Sequence, residues 1–148
     1  MSSRVLANVT GVVIEGRVLL IEGPSGAGKS ALALALIDRG AVLVGDDAVI
    51  IAREGDTLTA SPPPNTSGLI ELRNVGIVEL RIASGPVALM LTLTPDAPRF
   101  PMDVPTRAIE GVDIPVLAFA PGDAIQALRA EHALKAHGLP LPKSGEWA

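Results

Sequence analysis

Cysteine and tyrosine are absent from the 148 residues, and Phe100, Phe119 and Trp147 are the only aromatic side chains. Without cysteine there can be no disulfide and no thiolate zinc site. With so few aromatics, a core must be built from Val, Leu, Ile and Ala, which explains how 48% of the chain is hydrophobic. The chain also lacks a basic block, carrying 12 basic and 16 acidic residues for a net charge of −4. With neither that block nor an aromatic series, a nucleic-acid groove is not expected. No apolar stretch approaches the about 18 residues of a membrane-crossing helix. Residues 1–13 have no signal-peptide core, so a soluble cytoplasmic protein is expected. The length suits one ordinary domain, 1–148, with a real core.

What the chain does have is Gly23-Pro24-Ser25-Gly26-Ala27-Gly28-Lys29-Ser30, a full match to the phosphate-loop pattern G-x-x-x-x-G-K-[ST]. The apolar run Val18-Leu19-Leu20-Ile21 precedes it as a buried strand, and Ala31 to Arg39 follow as a helix. Strand, glycine loop and helix in that order are the context the motif requires. Glycines let backbone N–H groups curl around phosphate oxygens, and the helix N-terminus adds partial positive charge. Lys29 is expected to reach the outer phosphates and the Ser30 hydroxyl to take a place on Mg²⁺. A nucleoside triphosphate, ATP, is the expected ligand.

The remaining elements argue against a doubly wound sheet. Val12-Val13-Ile14 and Val18-Leu19-Leu20-Ile21 flank Glu15-Gly16, a hairpin signal. The first helix carries Leu32, Leu36 and Ile37 on one face and ends at Gly40. Ala41-Val42-Leu43-Val44 then forms a short buried strand. From Ala48 to Leu93 only short strands are expected, broken by Glu54-Gly55-Asp56, Ser84-Gly85-Pro86 and the proline-rich loop Ser61 to Gly68. A second helix spans Ala124 to His137, stopped by Gly138 and Pro140. Repeated strand–helix alternation is missing. The pattern is α+β: a mostly β domain built around one phosphate-loop unit, with a C-terminal helix.

Asp46-Asp47 close the strand expected to lie beside the loop strand. There, one carboxylate can organise Mg²⁺ and another can accept a proton from an attacking hydroxyl; a plain polar turn is the competing reading. Glu71 and Arg73 are expected on one side of a strand, opposite Ile70 and Leu72. Arg99 follows Pro95-Asp96-Ala97-Pro98 in a loop, where it can clamp phosphate or simply face solvent.

Three segments together carry a family resemblance. The first is Gly23 to Ser30 followed by Ala33-Leu34, Arg39-Gly40 and Leu43-Val44-Gly45-Asp46-Asp47. The second is Ile70-Glu71-Leu72-Arg73-Asn74-Val75-Gly76-Ile77, and the third is Arg99-Phe100-Pro101 followed by Ile109 to Pro115. From about Asn8 to His137 the chain resembles the C-terminal catalytic domain of HPr kinase/phosphorylase, in the short α-proteobacterial version without the family's N-terminal domain. The resemblance implies an HPr kinase/PEP carboxykinase-like fold. It also implies ATP- and Mg²⁺-dependent phosphorylation of a serine on the phosphocarrier HPr or a homologue, regulating carbon metabolism. Asp47 matches the family's proton acceptor, with Asp46 in support. Lys29 and Arg99 match catalytic cations, Ser30 and Glu71 match Mg²⁺ ligands, and a hexameric homo-oligomer is implied.

The chain departs from the family at three points. Asn8 stands where the family has a histidine, Asn74 replaces a glycine, and Pro121-Gly122-Asp123-Ala124 replaces P-G-R-N. Asparagine cannot relay a proton, and Asp123 reverses a charge where phosphate should be handled. Kinase activity is therefore expected, and the reverse phosphorylase activity is placed in doubt. An ATP-binding sensor with weak or lost catalysis and a small-molecule kinase are the alternatives. His132 and His137 are expected on the surface.

Overall fold

A computed structural model describes residues 3–142; Trp147 lies outside them. The chain runs β1 (Ser3–Ala7), β2 (Val9–Ile14), β3 (Arg17–Glu22), α1 (Lys29–Asp38), β4 (Val42–Gly45), β5 (Ala48–Glu54) and β6 (Thr57–Ser61). It continues through β7 (Leu69–Leu72), β8 (Gly76–Glu79), β9 (Gly85–Leu93), β10 (Thr106–Ile109), β11 (Val112–Phe119) and α2 (Gln126–His137). This is the expected α+β architecture, mostly strand with two helices. Among the described residues no helix is long and apolar enough to cross a membrane.

The main sheet is ordered β1-β5-β6-β9-β3-β2-β4, with β11 also paired to β9 and β10 to β11. The β2–β3 hairpin forms as expected, with Ile14 opposite Arg17. Both turn residues, Glu15 (φ 49) and Gly16 (φ 85), take the left-handed backbone that a tight hairpin turn needs.

Alternation along the central strands divides the core. Leu19, Ile21, Leu89, Leu91 and Phe119 pack under Leu32, Leu36, Ala130 and Leu134 of the two helices. On the opposite face, Leu20, Val18, Met90 and Ile114 meet Val49, Ile51 and Leu58. Strands covered on both faces read as unbroken apolar runs, and Leu89-Met90-Leu91 is such a run, almost fully buried. In α1 the buried face is Leu32, Ala33 and Leu36, while Ile37 lies at its edge. Cutting Leu32 or Leu36 back to alanine would cost about 2–5 kcal/mol.

Three local expectations are corrected. Ser84-Gly85-Pro86 does not break a strand. Gly85-Pro86 opens β9, the longest strand, where a proline is tolerated at the first positions and Gly85 pairs with Ala60. Arg73 does not share a strand face with Glu71: β7 ends at Leu72, and Asn74 (φ 67) turns the chain into β8. The strand bearing Asp46-Asp47 does not lie beside the loop strand, because β2 is inserted between β3 and β4.

That insertion preserves direction. β4 is antiparallel to β2 and β2 is antiparallel to β3, so β3 and β4 run the same way. β9 is parallel to β3, and β11 is parallel to β9. Four strands therefore end at one edge of the sheet, which is where ligands bind in open sheets with parallel strands. The segments leaving that edge are the glycine loop, Asp46-Asp47, the loop carrying Arg99, and Ala120 to Asp123.

Candidate active site

The loop after β3 has the geometry of a phosphate cradle. Gly26 (φ 83) and Gly28 (φ 104) adopt left-handed backbone, and a Cβ added at Gly26 would meet nothing within 4 Å. Gly28 caps α1 with no side-chain hydrogen bond. The first N–H groups of the helix have no intrahelical partner and suit an anion.

Lys29 is almost fully buried and donates to the Gly23 carbonyl at 2.7 Å and the Pro24 carbonyl at 3.3 Å. Its Nζ also lies 3.6 Å from Asp47 Oδ1. The amine is thus folded over its own loop, within reach of the space the glycines enclose.

Ser30, the next residue, donates from Oγ to Asp46 Oδ1 at 2.7 Å. This pair presents two oxygens side by side at a helix N-terminus. A hard-oxygen pair of this kind fits Mg²⁺, which takes one or two carboxylates, keeps several waters and shares phosphate oxygens. Among the described residues no three acidic or histidine side chains gather into a metal-binding group.

Asp46-Asp47 is not a hairpin turn but a corner where the chain passes from β4 into β5. Asn8 makes the matching corner between β1 and β2. The two ribbons are paired across both corners, Ala7 opposite Ala48 and Gly11 opposite Gly45. Asn8 and Asp47 each have φ 63, and Asn8 N–H donates to the Asp47 carbonyl at 2.8 Å. Asn and Asp are the side chains that best tolerate this backbone. Gly45 is required just before the corner, since a Cβ there would sit 2.2 Å from the Ala48 carbonyl oxygen. The corner leaves the Asp47 side chain 68% exposed while its main chain is tied down.

Two further contributors escaped the sequence reading. Thr10 on β2 is fully buried, donating to Asp46 Oδ1 at 3.2 Å and accepting from Asp47 N–H at 3.1 Å. Its signal was a single hydroxyl within Val9-Thr10-Gly11-Val12-Val13. Glu22, immediately before the loop, accepts from Arg107 Nη1 and Nη2 at 2.9 and 2.8 Å and from the Thr92 hydroxyl at 2.5 Å. The Arg107 hydrogen bonds hold its carboxyl below the usual range, against the opposing effect of burial. The same pairing raises the Arg107 guanidinium. Glu22, Arg107 and Asn8 all line a cleft of about 440 Å³ that opens beside Gly23 and Pro24.

The structure therefore gathers Lys29, Ser30, Asp46 and Asp47. Glu71 is exposed on the two-stranded β7–β8 sheet, and Arg99 is exposed in its loop. Neither side chain makes a hydrogen bond or ion pair among the described residues. Arg99 does line a cleft of about 600 Å³ with Phe119, Pro121, His132 and His137. That cleft adjoins the phosphate loop, since a Cβ at Gly28 would lie 3.9 Å from Pro121. His132 is exposed as expected, whereas His137 is half-buried. Asp123 is engaged structurally, bonded to Arg129 at 3.1 Å and accepting from Ile125 N–H at 3.1 Å.

Comparison with known proteins agrees with this geometry. The family model described as HPr Serine kinase C-terminal domain matches residues 2–92. A Clostridium botulinum (strain Eklund 17B / Type B) HPr kinase/phosphorylase is 46% identical over 76 residues, covering 51% of this chain and 23% of that protein. A Chlorobium phaeobacteroides (strain DSM 266) HPr kinase/phosphorylase is 33% identical over 134 residues, covering 79% of this chain and 42% of that one. The chain thus spans well under half the length of these curated relatives. The solved structure of the Hpr(Ser) kinase/phosphatase from Coxiella burnetii superposes with a TM-score of 0.74 at 27% identity, covering 90% of this chain and 92% of that one. With its phosphate loop, aspartate corner and sheet order in place, the chain belongs to the HPr serine kinase C-terminal domain family.

Proposed function

We propose that this chain is a catalytic domain, 1–148, that transfers the γ-phosphoryl group of ATP to a serine of HPr or an HPr-like phosphocarrier. The observation that carries the reading is the convergence of Lys29, Ser30, Asp46 and Asp47 at the open N-terminus of α1. The N–H groups of Gly26 to Ser30 hold the phosphates, and Lys29 turns from its loop carbonyls toward the outer phosphate oxygens. Ser30 and Asp46 would hold Mg²⁺, with Glu71 as the further ligand assigned by resemblance. When bound, the ion neutralises phosphate charge and orients the triphosphate.

Asp47, exposed at the rim, takes the seryl proton as the serine oxygen forms its bond to the γ-phosphorus. The bond from that phosphorus to the bridging oxygen breaks, ADP leaves, and Asp47 returns the proton to solvent. Its exposure suits a base that must meet a hydroxyl on another protein. Arg99, in a loop leaving the same sheet edge, supplies a further positive charge to the transferring group.

The reading is a kinase rather than a phosphorylase. Asn8 has no proton to relay to Asp47, and Asp123 is committed to Arg129 and the start of α2. Homo-oligomerisation, hexameric by resemblance, is supported by Val75 and Ile77, each 72% exposed on the β7–β8 hairpin. A cytoplasmic location follows from an HPr substrate and ATP.

The test is incubation with purified HPr homologues and Mg-ATP, followed by mass spectrometry. Phosphoserine on HPr supports the reading. Nucleotide binding without transfer would replace it with a sensor, and phosphorylation of a small molecule would replace it with a different kinase.

A further inference from the structure

Thr10 is a fully buried polar residue in a strand of mostly apolar side chains. It is 0% exposed, in a strand whose neighbours Val9 and Val12 pack among other apolar side chains. A hydroxyl in such a place must be bonded, and valine would fill the same volume without that demand. Its single proton goes to Asp46 Oδ1, the oxygen that also accepts from Ser30. One of its lone pairs receives the Asp47 N–H. The hydroxyl therefore spans the two aspartates from beneath, one through its carboxylate and the other through its main chain.

We propose that Thr10 is a positioning residue that sets the Asp46 carboxylate for metal and locks the Asp47 corner for proton transfer; this rests on the kinase reading above. The two bonds act on different degrees of freedom. The bond to Asp46 fixes which carboxylate oxygen faces Ser30. The bond from Asp47 N–H holds a left-handed residue whose side chain is otherwise largely free in solvent. Without it, the Asp47 main chain keeps the Asn8 bond to its carbonyl. Partners that orient a ligating carboxylate in this way typically change metal affinity by about 10–100-fold when removed.

The experiment compares Thr10→Val with Thr10→Ser in the full chain. In nucleotide-free protein, the Asp47 amide should exchange about five- to tenfold faster in Thr10→Val, matching the loss of one hydrogen bond. The Mg²⁺ concentration for half-maximal binding of a non-hydrolysable ATP analogue should rise about tenfold. kcat for HPr phosphorylation should fall while KM for HPr stays within about twofold, since Thr10 does not reach the protein substrate. Thr10→Ser should restore all three. If Thr10→Val fails to fold, Thr10→Ala against Thr10→Ser gives the same contrast.

Unchanged Asp47 exchange and Mg²⁺ requirement in Thr10→Val would overturn the proposal. So would a serine variant as impaired as the valine one, which would assign the role to the methyl group. If wild type binds Mg-ATP but transfers no phosphate while both binding readouts respond to Thr10→Val, the positioning stands and the kinase reading falls. If wild type phosphorylates HPr while those readouts ignore the substitution, the reverse holds.

Discussion

Asp47→Asn separates the chemistry of the site from its architecture. Asparagine is isosteric and tolerates left-handed backbone as well as aspartate does. The two main-chain bonds of the corner, to Thr10 and from Asn8, survive the change. What is lost is the negative charge 3.6 Å from Lys29 and the capacity to accept a proton. Because the Asp47 side chain is 68% exposed, its ion pair is solvent-screened and contributes at most about 1 kcal/mol to stability.

Loss of a positioned base, in contrast, lowers turnover by about 10²–10⁴-fold, or roughly 2.7–5.5 kcal/mol of transition-state stabilisation. The two magnitudes differ enough to be told apart. The expected result is a thermal midpoint within about 4 °C of wild type, unchanged or tighter Mg-ATP binding as Lys29 is released, and transfer reduced at least about a hundredfold. Calorimetry, equilibrium nucleotide binding and a timed phosphoserine assay on HPr read these separately. Transfer within threefold of wild type, to be taken as roughly unaffected, would remove Asp47 from the chemistry and return the pair to a structural corner.

Lys29→Ala should abolish HPr phosphorylation while leaving some nucleotide affinity in the backbone cradle; full transfer by this variant would exclude the phosphate-loop mechanism. Glu22 contributes to stability through a lowered carboxyl pKa, so its contribution is present above the ordinary value of 4.5 and is lost as pH falls through the lowered folded value. Glu22→Gln should therefore be less stable than wild type at pH 7, by about 1 kcal/mol or less after solvent screening. The gap between the two melting curves should narrow as pH falls below 4.5, and a gap that stays constant with falling pH would refute the assignment. Phosphoserine-HPr should be nearly stable with the unaltered chain and inorganic phosphate, and Asn8→His with Asp123→Arg and Ala124→Asn should raise its removal measurably. Rapid phosphate-dependent removal by the unaltered chain would show that another group supplies the proton.

The fold was legible where local chemistry decides structure. The glycine loop, the Glu15-Gly16 hairpin and the α1 stop at Gly40 all follow from backbone preference and apolar patterning. α2 began two residues later than expected because Asp123 turns the chain before the helix, accepting from Ile125 N–H. Strand order was not legible, because it depends on pairings far apart in sequence. Val9 to Ile14 inserts between β3 and β4, and nothing in its residues favours that slot over a sheet edge. Gly85-Pro86 looked like an interruption because proline weakens a ladder, yet at the start of β9 it opens the strand.

The site divides along the same line. Lys29 and Ser30 were readable because one continuous motif fixes them. Asp46 and Asp47 were readable as a carboxylate pair, but their distinct tasks follow from the corner, which sequence spacing does not reveal. Main-chain bonds to Thr10 and Asn8 turn Asp47 outward into solvent, and the same Thr10 hydroxyl turns Asp46 inward to Ser30. On the proposed mechanism, two adjacent residues of one chemical type thus face Ser30 and an incoming hydroxyl respectively. Swapping their environments rather than their identities would exchange their roles. On that argument Asp46→Asn should act on the Mg²⁺ requirement, while Asp47→Asn acts on turnover at saturating Mg²⁺. Equal effects of both variants on both measurements would mean that the corner does not divide the labour of the pair.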